Sequence, residues 1–131
     1  MNERNVIALV AVGGFVGAAT RYAVSFVLPP FVSSVAPSVA VPSLVSTFAV
    51  NAVGCFALGY LLYAYRFGVV SERVRLLTAT GFLSSFTTYS TFAYDVFEAS
   101  PAVAVVYIVA SYGVGFSAVY AGTRTALRGE A

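Results

Sequence analysis

Four long apolar runs take up most of this chain, and almost no charge interrupts them. They cover about Val6 to Leu28, Ser43 to Tyr65, Leu76 to Phe97 and Ala102 to Gly122. A transmembrane helix needs about 20 mostly apolar residues, so each run is long enough to cross a bilayer. Charged residues make up 9% of the 131, against roughly 25% in an ordinary soluble domain. So few charges cannot cover a soluble surface. The expectation is an all-α membrane protein, one four-span membrane domain over residues 1–131. The spans fall at about 6–28, 43–65, 76–97 and 102–122.

The punctuation between the runs agrees with this division. Pro29-Pro30 is expected to stop the first span, because proline removes a helix hydrogen bond and clashes with the preceding turn. A Ser- and Pro-rich linker without charge, Phe31 to Pro42, follows. Arg66 to Arg75 reads as a short charged loop, and Glu98-Ala-Ser-Pro101 as a tight turn. The first run outlasts a cleavable signal and has no clear small-residue cleavage site, so it reads as a span.

Absent residue types narrow the chemistry. The chain has no His and no Lys, and Cys55 is its only cysteine. The commonest general base, Schiff-base chemistry and a Cys-based zinc site are all missing. The chain is not expected to be an enzyme. A net charge of +2 is too small to suggest a nucleic-acid partner.

With four spans, both termini and the middle loop share one side. Six Arg lie there: Arg4, Arg66, Arg73, Arg75, Arg124 and Arg128. The other side carries no Lys or Arg. Positive residues favour the cytoplasmic side. A multi-pass cell-membrane protein with both termini in the cytoplasm is expected.

Polar groups inside apolar spans are costly, and they mark function more often than the spans themselves do. Arg21 lies in the first span on one face with Gly13 and Gly17. It either snorkels to headgroups beside Tyr22 or places a fixed positive charge at the mouth of an anion path. Ser43, Thr47, Asn51, Cys55 and Gly59 recur every four residues along the second span. They serve interhelical packing and hydrogen bonding, or line a path. Between Ser84 and Thr91, six of eight residues carry an aliphatic hydroxyl, and Tyr89 adds a phenol. Such hydroxyls offer the backbone alternatives to a helix. The third span is therefore expected to break, unless the hydroxyls bond back to the preceding turn. A broken membrane helix is tolerated where its backbone lines a cavity or holds an ion. Tyr107, Ser111 and Gly115 form a weaker stripe in the fourth span, while Tyr112 and Tyr120 read as interfacial anchors. Asp95 stands near the outer end of the third span.

Together these segments resemble the CrcB/Fluc family of fluoride channels over nearly the whole chain. Gly13-Gly-Phe-Val-Gly-Ala-Ala-Thr-Arg-Tyr22 is similar to the family's first-helix motif. Thr47-Phe-Ala-Val-Asn-Ala-Val-Gly54 is similar to its Thr-x-x-x-Asn-x-x-Gly, and Thr87-Thr-Tyr-Ser-Thr-Phe92 to its Thr-Thr-Phe-Ser-Thr-Phe. The resemblance implies an antiparallel dimer of four-helix bundles with a break in each third helix. It implies a structural sodium ion at the dimer centre, held by the backbone carbonyls of Ser84 and Thr87. It implies a fluoride pore drawn from Asn51, Thr47, Tyr89, Phe92, Ser90, Thr91, Tyr107 and Ser111, with Arg21 at the mouth. Ser84 stands where the family usually has Gly, and Tyr89 where it has Phe.

The function this implies is a fluoride-selective channel subunit giving passive fluoride export. Its partners are fluoride, sodium, membrane lipid and a second antiparallel chain. That chain is a second copy or a homologue. The six-to-none Arg bias favours one fixed orientation, and so a homologue of opposite bias. The alternative is a non-conducting or partly conducting subunit of a heteromeric channel. A small multidrug exporter fits less well, because it predicts a carboxylate in the first span, where this chain has Arg21.

Overall fold

The computed structural model describes residues 2–35 and 42–128. Every regular element among them is helical. Helix α1 is Glu3–Val35 and α2 is Pro42–Arg66. Helix α3, Glu72–Arg75, runs straight into a π-helical segment, Leu76–Leu83, and then into α4, Ser84–Phe86. Helix α5 is Tyr89–Glu98 and α6 is Pro101–Arg128. Three of the described helices, α1, α2 and α6, are long and apolar enough to cross a membrane. The third apolar run is not among them because it is split. Thr87 (φ −77°, ψ 157°) and Thr88 (φ −147°, ψ 124°) both have extended backbone.

Pro29-Pro30 does not stop the first helix, which continues to Val35. Two N–H groups are missing there, but the turn beyond is bonded in other ways. Ser33 Oγ donates to the Pro29 carbonyl at 3.0 Å, and Ser34 Oγ to that of Phe31 at 2.7 Å. The first part of the expected linker is therefore helical, and residues 36–41 lie outside the described residues. Helix α2 then opens on Pro42, a position where a missing N–H costs nothing.

The end of α2 follows from one glycine. Gly68 has φ 77°, a left-handed conformation that suits a residue without Cβ. Its N–H donates to Tyr65 O, and that of Val69 to Ala64 O. These two bonds satisfy carbonyls that the helix end leaves free. Ser71 then caps α3 by accepting from Val74 N–H.

Helices α2 and α6 lie side by side and parallel. A Cβ at Gly115 would sit 3.6 Å from Cys55 Sγ, and one at Gly59 would meet the Val119 carbonyl. Both pairs have the same offset along the chain. The Cys55 and Gly59 end of the α2 stripe thus forms the seam against α6. Parallel neighbours require the chain between them to return. Helix α2 has 25 residues, so it is about 37 Å long at 1.5 Å per residue. The broken stretch from α3 to α5 covers that return.

Helix α1 packs parallel to the stretch before the break. Its face of Gly13 and Gly17 meets the backbone of Leu77 and Phe82. One turn on, Arg21 reaches Ser85. The core sits beside the break, where Val50, Leu83 and Phe86 are buried against Val24, Leu58, Leu61 and Phe82. Elsewhere the helices turn apolar residues outward. Phe15 is 77% exposed, Phe97 83% and Phe116 73%. Such a surface needs lipid or another chain against it.

Candidate functional site

The break is held by three side chains drawn from different parts of the sequence. Asn51, from the middle of α2, pairs with both backbone groups of Thr88. Its Nδ2 donates to Thr88 O at 3.0 Å, and its Oδ1 accepts from Thr88 N–H at 2.8 Å. An amide carries its donor and its acceptor on separate atoms, so it can pair with both backbone groups of one residue. Arg21 serves the other side of the break, donating from Nε to Ser85 O at 3.0 Å. That carbonyl belongs to the last turn of α4, where helix carbonyls lack intrahelical donors. Thr88 itself caps α5, its Oγ1 accepting from Thr91 N–H at 3.2 Å.

This pairing has a consequence for Ser84. In an unbroken helix the Thr88 N–H would bond the Ser84 carbonyl. Here it goes to Asn51, so the Ser84 carbonyl loses that donor. Thr87 N–H still bonds Leu83 O, and Thr87 Oγ1 bonds the same carbonyl. Ser84 Oγ is bonded back to Thr80 O. The third-span hydroxyls thus divide their work. Ser84 and Thr87 bond backwards along the helix, while Thr88 turns forward and starts a new one.

Two cavities flank the break. One, of about 430 Å³, is lined by Asn51, Ser84, Thr87, Tyr89, Phe92 and Ser111 among others. The other, of about 570 Å³, is lined by Arg21, Ser43, Thr47, Thr88 and Thr91 among others. Thr88 touches both. A family model described as CrcB-like protein, Camphor Resistance (CrcB), matches residues 8–123.

The chain belongs to the CrcB family.

Three curated relatives show how closely it is related. A protein of Natronomonas pharaonis named Fluoride-specific ion channel FluC 1 is 44% identical over 117 residues, 86% of this chain and 87% of that one. One of the same name from Methanospirillum hungatei is 36% identical, over 94% of this chain and 79% of that one. Fluoride-specific ion channel FluC of Oceanobacillus iheyensis is 40% identical, over 95% and 92%. This is a family of ion channels rather than enzymes.

Within this CrcB chain the expected site residues fall into distinct groups. Ser84, Thr87, Tyr89, Phe92, Ser111 and Asn51 share the smaller cavity. Thr47, Thr91 and Arg21 line the larger one. Ser90 and Tyr107 line neither, and the Ser90 Oγ lies 3.3 Å from Thr88 Oγ1. The Phe92 ring ties the aromatic residues together. Its centroid is 5.8 Å from Tyr89, 5.2 Å from Tyr107 and 6.2 Å from Tyr112. Tyr112, expected as an interfacial anchor, therefore lines the cavity.

One residue has more importance than the sequence indicated. Asp95 is 1% exposed, the most buried side chain among the described residues. Ser43 Oγ donates to its Oδ1 at 3.1 Å, and its Oδ2 has no partner among the described residues. Tyr107 Oη and Ser111 Oγ are buried and equally unpartnered. A carboxylate near the outer end of a span looks peripheral in sequence. Only the stacking of α2, α5 and α6 encloses it.

Proposed function

We propose that this chain is a subunit of a fluoride-selective channel that lets fluoride leave the cell passively and so lowers cytoplasmic fluoride. The observation that carries the reading is the broken helix. Its extended residues, Thr87 and Thr88, lie between two cavities, each of which carries polar side chains in a mostly apolar wall. Exposed backbone at membrane depth is tolerated where it lines a cavity. The names of the relatives support fluoride as the ion.

The chemistry of the lining suits a small, strongly hydrated anion. Hydroxyls of Thr47, Thr91 and Ser111 and the Asn51 amide offer donors there to replace water. The ring edges of Tyr89 and Phe92 carry partial positive charge. Arg21 keeps a positive charge beside the larger cavity. No fuel is required. HF crosses the bilayer as a neutral molecule and dissociates inside. An inside-negative potential then drives the anion outward by about 2.3 kcal/mol per charge per 100 mV.

The broken stretch supplies the fourth crossing of the cell membrane, with both termini cytoplasmic. The carbonyls of Ser84 and Thr87 fit a sodium ion in kind, since they are hard oxygen donors at a break. Two carbonyls alone leave such an ion short of ligands. A second chain, antiparallel across the smaller cavity, would complete the set.

A specific observation favours a second reading. Arg4 starts α1, Arg66 ends α2, and Arg124 and Arg128 end α6. The parallel packing collects them at one end with Arg73 and Arg75. One fixed orientation follows from the positive-inside bias, and the antiparallel partner is then a homologous chain of opposite bias. The test is fluoride efflux from liposomes holding this chain alone, read with a fluoride electrode. Rapid efflux of fluoride but not chloride supports a homomeric channel. Efflux only after co-expression with an oppositely biased homologue supports the heteromer. Efflux of neither preparation, from well-folded protein, overturns the channel reading.

A further inference from the structure

We propose that Gly13, by letting α1 seat directly on the backbone of the π-helical segment, keeps that segment from relaxing and thereby fixes the rotation of the break residues, Ser84 to Thr88, about the helix axis. The proposal rests on the channel reading only for its efflux measurement. The role is one of positioning, since Gly13 touches the segment and not the cavities.

The π-helical segment is itself unusual. Such helices account for well under 1% of residues, and most are single turns beside functional sites. Here eight residues, Leu76–Leu83, are π-helical immediately before the break. A π turn closes between residues i and i+5 in place of i and i+4, so it takes up a surplus residue. Were the same residues to relax into an α-helix, everything after them would turn by about 100° and advance about 1.5 Å. Ser85 O would leave Arg21, Thr88 would leave Asn51, and Ser84 and Thr87 would leave the smaller cavity.

Helix α1 stands where it opposes this relaxation. A Cβ at position 13 would meet Leu77 O and lie 2.9 Å from Phe82 N. Residues 77 and 82 are five apart, the spacing that one π turn joins. A Cβ at position 17 would meet Phe82 O, with Phe82 C at 2.9 Å. From the other side, a Cβ at Gly81 would lie 2.7 Å from Val10 O and 3.0 Å from Gly13 Cα. The two backbones therefore interlock directly, with no side chain to yield. Beyond the segment, Ser84 Oγ donates to Thr80 O and lies 3.4 Å from Ala79 O. These are the i−4 and i−5 carbonyls, where the π turn returns to α.

The test uses Gly13→Ala, deletion of Thr80, and the two combined, in the full-length protein. Gly113→Ala is the control, because a Cβ there meets nothing within 4 Å. Monodispersity and melting temperature in detergent are read beside fluoride efflux. Gly13→Ala is expected to lower efflux at least tenfold and to lower the melting temperature. Deleting Thr80 removes the surplus residue, so an α-helix would keep the break in phase. The combined variant is expected to recover both measurements at least halfway. Gly13→Ala matching the control, or a combined variant no better than Gly13→Ala, overturns the proposal. If Gly13→Ala fails to fold, recovery of folded protein in the combined variant decides in its favour, and failure decides against it. The melting temperatures do not depend on which ion is carried, so the channel reading can fail separately.

Discussion

Replacing Asn51 by Ala strips Thr88 of both partners that hold its extended backbone. The bonds lost are 3.0 Å to the carbonyl and 2.8 Å from the N–H. A buried donor or acceptor left unsatisfied costs about 1–3 kcal/mol. Both residues are half-buried, which places each loss at the lower end, about 2–3 kcal/mol for the two together. For a chain of this size that corresponds to a melting temperature lower by roughly 10 °C. Helical circular dichroism during a thermal scan in detergent measures it. Fluoride efflux is expected to fall with it, because the Thr88 backbone borders both cavities. A variant melting within about 2 °C of the parent would refute the argument. Thr88 would then find other partners, and Asn51 would not hold the break.

Three further substitutions probe other contacts. Arg21→Met removes the charged donor to Ser85 O and should cost about 1.5–3 kcal/mol; a melting curve unchanged from the parent would show that the carbonyl is solvated without it. Ser43→Ala leaves Asp95 with no donor among the described residues, and should destabilise by about 1–3 kcal/mol, whereas Asp95→Asn combined with it should recover part of that loss. Gly122→Ala places a Cβ on the Phe56 carbonyl, while Gly113→Ala meets nothing within 4 Å. The first should fail to give monodisperse protein and the second should melt at or above the parent, since alanine favours a helix over glycine by roughly 1 kcal/mol. Equal behaviour of the two glycine variants would sink the close crossing of α2 and α6.

Much of the site was legible as residue types but not as contacts. The hydroxyl-rich stretch pointed to a break, because Ser and Thr compete with helix hydrogen bonds wherever they cluster. It did not say which hydroxyl would cap, and Thr88 does so because Asn51 takes its backbone groups. The Pro29-Pro30 pair misled, since the helix runs through it to Val35. Asp95 was legible only as a carboxylate near a span's end.

The sequence by itself determined that this chain belongs in a membrane and at which end the Arg residues collect. Those are properties of composition and order, and solvent transfer acts on them segment by segment. Only the tertiary structure decided what the polar residues do. Asn51 and Thr88 are 37 residues apart, Arg21 and Ser85 64, and Ser43 and Asp95 52. A hydrogen bond acts over about 3 Å, so its partner is set by which helices cross and at what height. Backbone approach at Gly13, Gly59 and Gly122 sets those crossings, and a sequence read along its length does not show them.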